Sequence, residues 1–232
     1  MRISQPILRG RLLRRYKRFL ADIELEGGEV IVAHCPNTGS LLGCKVENAP
    51  AILRDSENPE RKLRYTWQTI EIDGAWVNVD TSLPNAVVAE AIGAGDIAEL
   101  TGYPGLKREV KYGKNSRIDI LLEREGERCY VEVKSTTLAA DGVARFPDAV
   151  TARGLKHLNE LEAQVAAGDR AVIFFLVSRG DVESFAPADD IDSEYGAALR
   201  RVVQNGVEAL AYSTFVEPSS IEVAERLPIR LD

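Results

Sequence analysis

The chain has 232 residues, 28% of them charged and 45% apolar, with a formal net charge of −7. That balance excludes a disordered polyelectrolyte, and no apolar run approaches the ~20 residues of a membrane-spanning helix. The basic start lacks the apolar core of a secretory leader, and three cysteines (Cys35, Cys44, Cys129) without pairing spacing fit reduced thiols in the cytoplasm.

Residues 1–18 carry Arg2, Arg9, Arg11, Arg14, Arg15, Lys17 and Arg18, with no acid among them. Residues 1–80 hold 12 bases and 11 acids, whereas residues 81–232 hold 17 and 25. The basic strip is therefore a local feature of an acidic protein. With Tyr16 and Phe19 beside it, it is expected to track a phosphate backbone. "RGRLLRRYKRFL" has strand length but alternates poorly, and "ADIELEGGEVIVAH" predicts a hairpin around Gly27-Gly28. In "HCPNTGSLLG" the Pro-Asn-Thr-Gly run predicts a tight turn, whose Asn37 and Thr38 could cradle a phosphate. Cys35 beside His34 is better read as a buried thiol than as a zinc ligand, because CxxC spacing is missing. "NAPAILRDS" and "LRYTWQTIEIDGAWVNVD" add further strands, the last two turning at Asp73-Gly74. Five or six short strands within residues 1–80 predict an OB-fold-like β-barrel, a candidate nucleic-acid-binding domain.

Residues 81–232 read as a separate α/β domain. "LPNAVVAEAIGAG" predicts a helix opening at Pro84 or Asn85 and stopping at Gly93 or Gly95. Strands are expected near 106–112, 116–123 and 129–135. "TARGLKHLNELEAQVAAG" predicts a helix with Leu155, Leu158, Leu161 and Val165 on one stripe. On it, Arg153, Lys156 and His157 could meet a phosphate or position a lysine, although His157 could equally be a surface residue. "AVIFFLV" is continuously apolar, as in a strand covered on both faces. A helix near 193–204, the strand "VEALAYSTFV" and a last strand near 220–227 complete the chain.

"RIDILLEREGERCYVEVK" raises a specific problem, because its apolar arms carry Asp119, Glu132 and Lys134. A two-residue turn at Glu125-Gly126 would set residues whose numbers sum to 251 opposite one another, so Asp119 faces Glu132. Lys134 then lies one pleat away, and Ile118, Ile120 and Leu122 form an apolar row on the other face. Facing carboxylates repel and so invite a cation. Oxygen-only ligands suit Mg²⁺ or Mn²⁺, held by Asp119 and Glu132. The alternative is a Glu-Lys pair on an open sheet face with Asp119 at a strand end. The Asp…Glu-x-Lys pattern and the element order resemble the restriction-endonuclease-like superfamily of metal-dependent nucleases. Many of its domains place a further carboxylate on the preceding helix, which makes Glu90 a candidate beside Asp119, Glu132 and Lys134.

A closer resemblance runs from about Arg9 to Tyr212. "HCPNTGSLLG", "KREVKYG", "SRIDILL", "YVEVKS", "FPDAVTARGLKHLNEL" and "RAVIFF" resemble the sugar fermentation stimulation protein family. Leu41 stands at a position where that family carries methionine. The resemblance implies an OB-like domain followed by a restriction-endonuclease-like mixed-sheet α/β domain, DNA binding in the cytoplasm, and a link to maltose-type sugar metabolism. It does not imply cleavage. The expectation is thus a DNA-binding protein, monomer or homodimer, with no membrane partner and a nuclease-type Mg²⁺ or Mn²⁺ site. Its DNA contacts are expected at Arg9, Arg11, Arg14, Arg15, Lys17, Arg18, Asn37, Thr38, Arg153 and Lys156. The alternative is a carbohydrate- or nucleotide-binding protein that reads its ligand with the barrel, which aromatics at only 6% disfavour. No helix-turn-helix pattern is present.

Overall fold

The computed structural model describes residues 1–112 and 116–232. Six antiparallel strands open it: β1 (Ile7–Tyr16), β2 (Leu20–Leu25), β3 (Val30–His34), β4 (Pro50–Asp55), β5 (Tyr65–Ile72) and β6 (Ala75–Asn78). They lie in the order β3-β2-β1-β4-β5-β6, and a parallel bridge from His34 to Thr66 joins β3 to β5. That bridge closes a five-stranded barrel of the OB type around Leu12, Ile23, Leu53, Trp67 and Ile70. The poor alternation of β1 has a local cause. Leu12 pairs with Ile23 and Arg14 with Asp22, so Leu13 is an extra residue in a bulge, and the side chains beyond it change face.

The rest of the chain packs helices on both faces of a mixed sheet. Its elements are α1 (Pro84–Ala94), β7 (Gly105–Tyr112), β8 (Ser116–Arg124), β9 (Glu127–Thr136), β10 (Ala139–Ala140), β11 (Val143–Phe146), α2 (Ala152–Ala166), β12 (Arg170–Val177), β13 (Ser184–Pro187), α3 (Ser193–Gln204), β14 (Glu208–Glu217) and β15 (Ser220–Arg226). The main sheet runs β15-β14-β12-β9-β8-β7, with β9, β12 and β14 parallel and the outer pairs antiparallel. The continuous apolar run of β12 is buried on both sides: Ile173 and Phe175 pack toward α2 and α3, while Val172 and Phe174 pack toward α1. A second small sheet, β10-β11-β13, had no counterpart among the expected strands. No helix among the described residues is long and apolar enough to cross a membrane.

Local signals set the helix ends. Pro84 opens α1, and Gly95 closes it at φ 84°, a left-handed conformation that costs glycine little. Thr151 caps α2, its hydroxyl accepting from the Gly154 amide at 3.0 Å. The β8–β9 turn has Glu125 at φ 45° and Gly126 at φ 88°, the two left-handed residues of a type I′ turn. It delivers the predicted register, with Arg124 opposite Glu127 and Ile120 opposite Val131.

Candidate functional site

The β8–β9 ladder stops at Ile120–Val131, one residue short of Asp119. Asp119 leaves the pairing, and its Oδ2 accepts from the Val133 amide at 2.8 Å. On the other side Glu109 of β7, at φ 55°, also drops out of register. The strand therefore changes face at Asp119. Ile118 packs with Leu121 on the α2 side, while Ile120 and Leu122 pack on the α1 side. This corrects the expected single row of Ile118, Ile120 and Leu122: strict alternation fails where the backbone kinks. Asn85, in the first turn of α1, donates from Nδ2 to Asp119 Oδ1 at 2.7 Å and to Glu109 Oε1 at 3.1 Å.

Glu132 is only 2% exposed. Leaving a carboxylate there costs several kcal/mol unless it is compensated. Lys134 Nζ donates to its Oε1 at 2.7 Å, and His157 Nδ1 contacts the same oxygen. Arg153 Nε lies 3.4 Å from His157 Nε2. If Nε2 accepts from Arg153, the imidazole proton sits on Nδ1 and is given to Glu132. The 3.1 Å approach of Lys134 to Nδ1 is then two donors converging on one oxygen. Glu132 Oε2 is buried without a hydrogen-bond partner among the described residues.

The two carboxylates are pushed apart electrostatically. Burial, then the charge of Glu132, raises Asp119 to about 6, against the Val133 amide, Lys134 and Asn85. Burial would raise Glu132 too, but the His157 hydrogen bond and Lys134 outweigh it and hold Glu132 below its ordinary value. Near neutrality one carboxylate is firmly ionised and the other titrates close by, as in coupled acid pairs.

Asp119, Glu132 and Lys134 line a cavity of about 320 Å³. Asn85, Thr81, Arg145, Asp148 and Arg153 line it as well. Asn37, from the turn after β3, is part of the same lining. The barrel therefore contributes directly to this site. The turn is held from several directions. Arg15 Nη2 donates to the carbonyls of Arg18, Asn37 and Gly39 at 2.7, 2.8 and 2.8 Å. Arg18 Nε donates to the Thr38 carbonyl at 2.9 Å, and Thr81 Oγ1 to that of Pro36 at 3.1 Å. From the α/β domain, Asp148 Oδ2 accepts from the Leu41 amide at 2.8 Å.

Several sequence-based candidates lie elsewhere. Glu90 is 58% exposed at its side chain, sits 3.0 Å from the Met1 ammonium, and does not line the cavity. At 100° per residue it is 140° around α1 from Asn85, so the helix that aims Asn85 at Asp119 aims Glu90 away. The basic strip is not one free track. Arg14 is bonded to Asp22 at 2.7 Å, Arg11 donates to the Asn48 carbonyl, and Arg15 and Arg18 hold the turn. Arg9 and Arg11 line a different groove on the outer barrel face, beside Trp76, Glu24 and Glu71. Lys17 is exposed in the β1–β2 turn, Thr38 does not line the cavity, and Lys156 is exposed 3.6 Å from Glu160. Asn85, Arg145 and Asp148 join the site without having been singled out as its members, whereas His157, read either as a group that positions a lysine or as a surface residue, is buried with its Nδ1 3.1 Å from Lys134 Nζ. For His157 a signal existed, namely its i, i+4 spacing from Arg153 on one helix face.

Comparison with known proteins agrees with this architecture. Residues 13–79 match the family described as the SfsA N-terminal OB domain, and residues 82–220 match the sugar fermentation stimulation protein RE domain. The chain is 52% identical over 231 residues to the sugar fermentation stimulation protein homolog of Geotalea uraniireducens, covering 100% of each. It is 53% identical over 229 residues to that of Geobacter sulfurreducens, covering 99% of this chain and 98% of the other. Among solved structures, that of Pyrococcus furiosus SfsA in complex with Ca²⁺ superposes with a TM-score of 0.88 at 27% identity, covering 99% of each chain. The chain belongs to the sugar fermentation stimulation protein family.

Proposed function

We propose, with that membership as the premise, that this is a DNA-binding protein whose Asp119 and Glu132 hold Mg²⁺ or Mn²⁺ in a phosphodiester-hydrolysing site. The observation that carries the reading is the convergence of these two carboxylates, from different strands, on one cavity that Lys134, Arg145 and Arg153 also line. Their donor set fits an oxygen-preferring divalent ion. Glu132 Oε2 is buried without a partner, and Asp119 is held where a neighbouring cation would ionise it. Among the described residues no third His, Cys, Asp or Glu completes a protein-only cage. That suits Mg²⁺, which keeps several waters and bridges to phosphate. The related Pyrococcus furiosus protein was solved in complex with Ca²⁺, which supports divalent-ion binding.

When bound, the ion would polarise a phosphate oxygen and supply an acidified water. The chain's own residues do the rest. His157 and Lys134 hold Glu132 ionised, and Asn85 and the Val133 amide fix the Asp119 carboxylate. Lys134 is placed to offset charge developing on the phosphate, and Arg145 and Arg153 to hold its remaining oxygens. We place the protein in the cytoplasm, as monomer or homodimer, with its link to sugar use resting on the family alone.

Calorimetric titration with Mn²⁺, paired with cleavage assays on single-stranded, duplex and branched DNA, tests the reading. Mn²⁺ binding lost in Asp119→Asn, together with cleavage abolished by chelator, is the expected result. Wild-type protein that binds Mn²⁺ yet cuts no DNA form would leave a non-cutting DNA-binding regulator. A second reading, ligand binding on the barrel alone, draws on the groove of about 530 Å³ where Trp76 meets Arg9, Arg11, Glu24 and Glu71. Titrating maltose or a nucleotide against Trp76→Ala would separate it.

A further inference from the structure

The walls of the cavity restrict what can enter. We propose that the site accepts one unpaired nucleotide of a DNA strand rather than the side of a duplex, and that Asn37 is the barrel residue that touches it. This rests on the reading of the cavity as a metal-dependent phosphodiester site and adds the substrate class.

At about 320 Å³ the cavity lies at the lower end of the small-ligand range, room for a nucleotide unit but not for two stacked strands. Both domains wall it, so its width is set by the barrel turn as well as by the sheet. That turn is a built wall. The Arg15 fork, Thr81 Oγ1 and the Asp148 carboxylate bind four of its backbone groups from different directions. Asn37 is 9% exposed, and its Oδ1 accepts from the Gly39 amide at 2.8 Å. This fixes the orientation of the amide and leaves Nδ2 as the donor. Leu138 and Phe146 supply an apolar stretch of lining for a base or sugar. Arg145, whose buried Nε has no partner among the described residues, supplies cationic charge.

The outer surface argues the same way. A duplex is held chiefly by a run of unengaged cations along its phosphates. Here Arg14 is neutralised by Asp22, Arg11 lies across from Glu24, and Arg15 and Arg18 are engaged by carbonyls. A single strand, by contrast, can thread one nucleotide into a confined site without unpairing cost.

The test uses the full-length protein with Ca²⁺, reading fluorescence anisotropy of a labelled oligo-dT against a blunt GC-rich duplex of equal length. The oligo-dT should bind more tightly by about tenfold or more. Asn37→Ser suits a turn and removes the Nδ2 donor without adding a charge. It should weaken oligo-dT binding about tenfold, the scale of one hydrogen bond to a charged group. Melting temperature and Mn²⁺ affinity should stay at wild-type values. If that variant melts early, Asn37→Asp replaces it: it keeps the acceptor for the Gly39 amide but adds a negative charge, so its weakening must persist at high salt, where that repulsion is screened. Duplex binding as tight as oligo-dT overturns the inference, and so does an Asn37 variant that binds oligo-dT normally. Failure of the proposed function is a separate outcome: no cleavage of any DNA form with Mn²⁺, whatever the anisotropy preference.

Discussion

Asp119→Asn removes a charge that the fold has desolvated, and the effect on stability should depend on pH in a defined direction. In the folded chain Asp119 sits at about 6 against an ordinary value of 3.8. At about 1.4 kcal/mol per unit, keeping it ionised above pH 6 costs the metal-free fold roughly 3 kcal/mol relative to its neutral form. The folded group binds its proton first as pH falls. Its stabilising contribution is therefore complete below pH 3.8 and lost as pH rises through 6. Asparagine never carries the charge. Its Oδ1 can still accept from the Val133 amide, but its Nδ2 then meets the Asn85 amide, and a hydrogen bond worth about 1 kcal/mol is lost unless Asn85 flips. The net expectation is a variant about 2 kcal/mol more stable than wild type near pH 8 with chelator. For a chain of this size that raises Tm by about 4–8 °C. The gap should shrink steadily below pH 6, because the other carboxylates titrate alike in both proteins. Saturating Mn²⁺ should reverse the order, since only wild type gains binding energy. Circular dichroism melts across this pH range decide the matter. A variant melting at or below wild type in chelator near pH 8 would refute the desolvation argument, as would a gap that persists on acidification.

Arg15→Ala should cost about 2–3 kcal/mol in urea unfolding, because it strips the donors from partly buried carbonyls of the turn, and Arg15→Lys should rescue little, since one ammonium cannot fork among them. Lys134→Ala should abolish cleavage while leaving Mn²⁺ affinity unchanged or raised, by calorimetry, because a competing ammonium leaves Glu132. His157→Ala should weaken Mn²⁺ binding by about tenfold or more through the loss of the donor that orients Glu132, a change a remote structural role would not make. Glu90→Gln should alter neither Mn²⁺ binding nor cleavage and should change stability by less than about 1 kcal/mol, its one ion partner among the described residues being the Met1 ammonium and its own side chain being 58% exposed.

These expectations also mark what a single sequence makes visible. The β8–β9 register was legible because two local constraints coincide there: a glycine where the turn needs a left-handed residue, and alternation in both arms. The kink that frees Asp119 was not, since it depends on Glu109 of a third strand dropping out of register. Strands β10, β11 and β13 are two to four residues long, too short for periodicity, and the β11–β13 pairing is nonlocal. In α1 the buried Val87, Val88, Ala91 and Ile92 span one arc of about 140°, but the apolar Ala86 and Ala89 fall outside it and blur which of Asn85 and Glu90 borders the buried face. The basic strip is the instructive case. The arithmetic that set Asp119 near Glu132 also sets Glu24 across from Arg11 and Asp22 across from Arg14, once one bulged residue is allowed for. The Arg14–Asp22 ion pair, and the carboxylate of Glu24 across from Arg11, were therefore within reach of pattern reading. The capture of Arg15 by carbonyls 22 and 24 residues away was not, because a backbone carbonyl has no sequence signature. A count of charges predicts a field, and only the fold decides how many of those charges remain unengaged for a phosphate.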